Sequence, residues 1–202
     1  MNPNRIVVNS PTGSGNVFCQ NLLLRNLDLE LKWINHNILG FEKYANNLFI
    51  LRNPYDVIAS GIEIRFEDGS EDYESGFMDD IDFRIKDKMI LHVANYQRFI
   101  NMAQHYDYIT TVSFEFLTKQ PDKFLNFVSD KFDIPFAEKR HTAEDVIWQI
   151  ANNKEIATRV PREKTELRKK IDLAVHNYEP LKHTYEEYIL FRDTIQSTEN
   201  ML

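Results

Sequence analysis

Leu48-Phe49-Ile50-Leu51 is an unbroken apolar run that ends abruptly on Arg52-Asn53-Pro54. Such a run reads as a buried parallel strand. Proline suits the first turn of a helix, so Asn53-Pro54 opens one, and Ser60 falls about two turns along it. A guanidinium fork and a hydroxyl are thereby expected at the carboxyl edge of a sheet, where α/β folds bind ligands. That pair suits a phosphate. The same residues also read as a strand-end arginine in a surface ion pair and a serine facing solvent.

β-type and helical patterns alternate through the first two-thirds of the chain. Strands are expected near 5–9, 30–34, 48–52 and 108–114, and helices near 15–27, 54–64, 84–105 and 121–132. Alternation with apolar strands predicts an α/β fold, a parallel sheet flanked by helices on both faces. Tyr108-Ile109-Thr110-Thr111-Val112 is β-branched, as strands prefer. From Thr142 onward the text is helical, through 145–150, 163–175 and 181–195. No linker or repeat interrupts it, so residues 1–202 are expected to form a single domain with a helical C-terminal region at 142–202. Phe124, Phe127 and Val128 recur at helical spacing as core residues, and Trp33 and Trp148 read as core or pocket wall. His92, His105, His141, His176 and His183 are scattered over helices and their ends and suggest no chemistry.

Near the start, Arg5-Ile6-Val7-Val8-Asn9 precedes Ser10-Pro11-Thr12-Gly13-Ser14-Gly15-Asn16 and then the helical run from Val17 to Leu24. Strand, glycine-rich turn and helix is the geometry that aims backbone N–H groups and a helix N-terminus at an anion. Neither a Walker A motif nor a dinucleotide fingerprint is present. An ordinary connecting loop is the other reading of this turn.

Together these segments resemble the sulfotransferases that use 3'-phosphoadenosine 5'-phosphosulfate (PAPS). That family carries a Pro-Lys-Ser-Gly-Thr-like loop after its first strand, which cradles the donor's 5'-phosphosulfate. Ser14-Gly15-Asn16 matches its Ser-Gly-Thr core, followed by Val17, and Phe18 stands where an adenine-stacking tryptophan is often found. The family's Arg-Asn-Pro-x-Asp-x-x-x-Ser element, whose arginine and serine hold the 3'-phosphate, is matched at its spacing by Arg52 and Ser60. A third element, Val112-Ser113-Phe114-Glu115-Phe116-Leu117, is similar to the family's Tyr-Glu-Asp-Leu segment, with Phe114 in the tyrosine's place. The resemblance covers residues 5–135 in pieces. It implies a P-loop-like fold, PAPS as co-substrate, no metal, and a small-molecule or glycan acceptor.

The chain departs from that pattern in three places. Gly13 stands where the family has the loop lysine that bridges the leaving phosphate and the sulfuryl group. Arg5, Arg25 and Lys43 are the cations considered in its stead. The C-terminal Arg-Lys-Gly loop over the 3'-phosphate is missing as such, although the basic stretch containing Arg159 and Arg162 lies in about the right place. Sulfuryl transfer also needs a base for the acceptor proton. His36, after the run Glu30-Leu31-Lys32-Trp33-Ile34, falls where many sulfotransferases place a catalytic histidine, and its ordinary pKa of about 6.5 suits the task. It reads equally as a loop residue between two asparagines. Glu42 is the substitute, since other branches use a glutamate.

Formal net charge is −7, which excludes a general nucleic-acid-binding surface. The single cysteine, Cys19, reads as a core thiol, and no Cys/His cluster has metal-ligand spacing. No apolar run reaches the ~18 residues of a membrane span, and no signal-peptide pattern opens the chain. No membrane association is expected, and a cytoplasmic location is, unlike the Golgi sulfotransferases with their N-terminal anchor. From Phe66 through Asp82 there are eight acidic residues and no Lys or Arg. This interval, 66–82, reads as a mobile acidic loop, either an acceptor lid or a solvated charge run.

Three functions fit these observations. The first is a PAPS-dependent sulfotransferase acting on a hydroxyl or amine. The second is an ATP-dependent P-loop-related phosphotransferase, disfavoured by the missing Lys-Ser/Thr. The third is a non-catalytic nucleotide-binding or interaction module on the same fold, which the glycine at position 13 keeps open.

Overall fold

The computed structural model describes residues 5–33, 40–43, 45–67, 81–153 and 166–200. Its centre is a four-stranded, fully parallel sheet of β1 (Arg5–Val8), β2 (Glu30–Trp33), β3 (Asn46–Leu51) and β4 (Ile109–Ser113), in the order β2-β1-β3-β4. The helices are α1 (Asn16–Asn26), α2 (Pro54–Glu67), α3 (Ile81–His105), α4 (Phe114–Lys119), α5 (Pro121–Phe132), α6 (Ala143–Asn152), α7 (Glu166–His176) and α8 (Pro180–Glu199). Among the described residues no helix is long and apolar enough to cross a membrane.

Alternation of side chains along each strand divides the core. Ile6, Val8, Leu48, Ile50 and Val112 face one layer, packed with Leu22 and Leu23 of α1, Phe124 and Val128 of α5, and Val146 and Ile150 of α6. Phe49, Leu51 and Ile109 face the other, against Tyr96 and Phe99 of α3 and Tyr188 of α8. Behind that second layer, Ile58 and Ile62 of α2 pack with Met89 of α3 and Ile171 and Val175 of α7. Burial on both faces is what the unbroken run in β3 requires.

Two elements differ from the reading of the sequence. β3 begins at Asn46, because the buried Asn47 satisfies its amide from within: Nδ2 donates to the carbonyls of Glu42, Ala45 and Tyr108, and Oδ1 accepts from the Glu42 N–H. β4 stops at Ser113, and Phe114 opens α4 instead of ending the strand. The Ser113 hydroxyl caps that helix by accepting from the Phe116 N–H at 3.0 Å. Trp148 is neither core nor pocket wall but 67% exposed. The buried stripe of α6 is Val146 and Ile150, one helical turn apart, which turns Trp148 outward.

The chain runs from β1 to β2 on one side and then places β3 on the other side of β1. The strand order therefore reverses between β1 and β3. Such a reversal opens a crevice beyond the carboxyl ends of the two strands. Into this crevice the sequence delivers the 9–15 loop and Arg52.

Candidate functional site

The loop after β1 is built around two left-handed glycines, Gly13 at φ 89° and Gly15 at φ 91°. Its base continues the sheet: the Asn9 N–H donates to the Leu48 carbonyl at 3.0 Å, and the Ser10 hydroxyl accepts from the Ile50 N–H at 2.7 Å. Asn16 then closes the loop, its Nδ2 donating to the Ser10 carbonyl at 3.0 Å. Gly15 is the residue before α1 and supplies no side-chain cap, and the first turn of α1 carries no acidic residue. The first N–H groups of a helix lack partners within it, so this end offers donors and a positive dipole. The Ser14 hydroxyl is buried and makes no hydrogen bond among the described residues. Val17 and Phe18, in that first turn, are half-buried against the core.

Arg52 follows β3 directly. The buried Tyr96 hydroxyl donates to its carbonyl and fixes the backbone there. Burial also pushes that phenol well above its ordinary pKa. The Arg52 guanidinium reaches across to the loop, Nη1 donating to the Gly13 carbonyl at 2.7 Å, and lies 4.3 Å from the centroid of the Phe114 ring. Among the described residues no carboxylate forms a salt bridge with it. Burial lowers its pKa, the neighbouring Arg168 lowers it further, and Asp56 and Glu115 work in the opposite sense. Of its five N–H donors, the partly buried guanidinium gives one to Gly13 among the described residues.

Ser60 borders the same loop. A Cβ placed on Gly13 would stand 2.9 Å from both the Ser60 Cβ and the Val57 carbonyl oxygen. Asn53 caps α2 from below, its side chain accepting from the Tyr55 N–H at 2.9 Å and its carbonyl from the Val57 N–H at 3.0 Å. The helix thus carries Ser60 to the loop, as the spacing from Pro54 predicts.

The structure brings Gly13, Ser14, Gly15, Asn16, Arg52, Ser60 and Phe114 together. It does not bring Glu42. That carboxylate lies 3.7 Å from Arg5 at the start of β1, and its backbone is held by Asn47 at the start of β3. Both residues sit at the amino edge, the far side of the sheet from the loop, so neither Glu42 as base nor Arg5 as replacement cation belongs to the crevice. Arg25 lies in the last turn of α1, about 14 Å along the axis from the loop end. His36, Arg159 and Arg162 lie outside the described residues, as does most of the acidic interval 66–82.

Two residues reach the site unannounced. Arg168 of α7 donates through Nη1 to the Ser60 hydroxyl at 3.2 Å. His92 of α3 packs against Gly61, where an added Cβ would meet its Cε1 at 2.8 Å and the Thr12 carbonyl oxygen at 3.4 Å. A glycine inside a helix costs about 1 kcal/mol relative to alanine, and here the histidine ring fills the notch. Arg168 did leave a trace in the sequence: it is in phase with Ile171 and Val175, a charge on the buried stripe of its helix. His92 left none.

The chain matches no protein-family model, no curated protein and no solved structure. Backbone donors, a helix N-terminus and a guanidinium that forms no salt bridge with a carboxylate among the described residues are features that suit an anion, gathered at the point of strand reversal.

Proposed function

We propose that this crevice binds PAPS and that the chain is a sulfotransferase of the P-loop-like type, transferring the sulfuryl group to a hydroxyl or amine. The observation that carries the reading is Arg52, a partly buried cation at the carboxyl end of β3 that, among the described residues, donates to a carbonyl and lies over an aromatic ring without forming a salt bridge. A charge in that setting is costly unless an anion joins it. Ser60, at the spacing that the resemblance requires, borders the same loop as Arg52. In this reading Arg52 and Ser60 hold the 3'-phosphate, and the Ser14–Phe18 turn offers N–H groups to the phosphosulfate. The bond from sulfur to the leaving phosphate oxygen breaks as the bond to the acceptor forms. Negative charge grows on the leaving oxygen, where fixed donors stabilise it. His36 is the proposed base for the acceptor proton, and Arg159 and Arg162 the proposed cover of the 3'-phosphate.

Position 13 favours one second reading. Gly13 has a left-handed backbone, and the space above it is filled by Ser60 and Val57, so no lysine projects from it. A module that binds the nucleotide without transferring sulfate accommodates this directly, whereas an ATP-dependent phosphotransferase would want the lysine.

Thermal stabilisation by 3'-phosphoadenosine 5'-phosphate, with ATP and AMP as controls, tests the reading on wild type and Arg52→Ala. At about 100 times the dissociation constant the ligand adds roughly 2.7 kcal/mol. Stabilisation that requires the 3'-phosphate and vanishes in Arg52→Ala is the expected result; ATP-selective stabilisation or none at all would sink it. Binding without turnover of PAPS across an acceptor screen selects the non-catalytic module.

A further inference from the structure

Arg168 hydrogen-bonds Asp172, Glu63 and Ser60 at once. Nε donates to Asp172 Oδ1 at 2.8 Å, and Nη1 donates both to Glu63 Oε2 at 2.7 Å and to the Ser60 hydroxyl at 3.2 Å. Its side chain is 12% exposed and those of both carboxylates 19%. The two carboxylates hold the guanidinium charged despite burial. They also fix its plane, so the direction of the third contact is set by the fork rather than by a mobile side chain. α7 is pinned to α2 a second time, where His176 stacks on Tyr55 with ring centroids 4.8 Å apart.

A serine hydroxyl has one hydrogen to give and lone pairs to receive. Ser60 receives from Arg168, so its own hydrogen points elsewhere, and it makes no other hydrogen bond among the described residues. A hydroxyl that accepts from a cation is also the stronger donor, because each bond polarises the next. Ser60 is partly exposed and lies against Gly13, beside the crevice that holds Arg52.

We infer that Arg168 is a positioning residue of the anion site: braced by Glu63 and Asp172, it turns the Ser60 hydroxyl so that its proton is presented to the bound phosphate. This rests on the reading of the crevice as a site for a 3'-phosphonucleotide. Arg168 itself acts through Ser60, and its two carboxylates keep its charge occupied.

A double-mutant cycle separates this role from a structural one. The affinity for 3'-phosphoadenosine 5'-phosphate is measured by calorimetry for wild type, Ser60→Ala, Arg168→Lys and the double variant. Lysine retains the charge for Asp172, but its ammonium ends about where the guanidinium carbon lies, one bond short of Ser60. The fold is expected to persist, checked by circular dichroism and melting temperature. Each single variant is expected to lose about tenfold or more in affinity, the worth of one hydrogen bond to an anion. The double variant is expected to lose no more than Ser60→Ala alone, because without the hydroxyl there is nothing left to position. Additive losses, or an Arg168→Lys variant that binds like wild type, overturn the role of Arg168. A wild type that does not bind the nucleotide overturns the functional reading, and this inference with it.

Discussion

The Phe114 ring lies beneath the Arg52 guanidinium, 4.3 Å from ring centroid to guanidinium carbon, and its edge fills the space above Gly15. One aromatic residue from the end of β4 thus sets both the cation at the end of β3 and the loop after β1. Ring, fork and loop form one packed unit, and the sheet holds all three.

Replacing Arg52 by lysine tests whether the fork or merely the charge matters. Lysine keeps the charge, yet it cannot donate to the Gly13 carbonyl and grip an anion at the same time in a fixed plane. The variant is expected to fold and to bind 3'-phosphoadenosine 5'-phosphate at least about tenfold more weakly, since hydrogen bonds to charged groups are worth about 1.5–3 kcal/mol. Calorimetry decides, and wild-type affinity in Arg52→Lys would remove the fork from the account.

The two loop glycines predict opposite responses to a second mutation. A left-handed backbone costs a non-glycine residue about 1–2 kcal/mol at either position. At Gly15 the added Cβ also meets Phe114 Cε2 at 2.7 Å, so Gly15→Ala is expected to be destabilising and partly rescued by Phe114→Ala. At Gly13 the obstacle includes the Val57 carbonyl oxygen at 2.9 Å, which is backbone and does not yield. Gly13→Lys, which installs the residue that sulfotransferases carry there, is therefore expected to lower the melting temperature by several degrees, at about 2–4 °C per kcal/mol for a chain of this size. No truncation of Phe114 should restore it. Thermal and urea denaturation of Gly15→Ala, Gly13→Lys, Phe114→Ala, the two double variants and the wild type checks both statements.

Glu199, at the end of α8, supplies a pH dependence. Its carboxylate accepts from the Ser113 N–H and the Ser113 hydroxyl, both at 2.6 Å. Burial raises its pKa above the ordinary range, Glu115 adds to the rise, and the two Ser113 bonds only partly oppose it. With the folded pKa above the unfolded one, the unfolded chain gives up its proton first as pH climbs. The stability this carboxyl contributes is full below about pH 4.3 and is lost as pH rises through the folded value. Glu199→Gln removes that titration, so the stability of wild type minus that of the variant should fall as pH rises above about 4.3. A difference that stays level or grows with pH would show that the folded carboxyl is not raised.

Much of the scaffold was legible because its signals are local. The unbroken run in β3, the proline that opens α2 and the β-branched β4 each state a backbone preference within a few residues. Cys19 reads as a core thiol and is fully buried, its pKa pushed far up by desolvation. The end of β4 was less legible, because a serine that caps a helix looks like a serine that continues a strand until its hydroxyl finds the Phe116 N–H.

The sequence by itself determined the local pieces: a parallel strand ending in arginine, a helix that carries Ser60 two turns on, and a glycine-rich turn feeding α1. Tertiary structure decided which of these pieces meet. The reversal of strand order between β1 and β3 puts the loop and Arg52 at one crevice, and the opposite edge of the same sheet takes Glu42 and Arg5 away from it. Arg168 lies over a hundred positions beyond Ser60 and reaches it because the apolar stripe of α7 buries against α2. Spacing along a chain encodes neighbours on one element; contact between elements is set by which faces must leave water together, and that is a property of the whole fold.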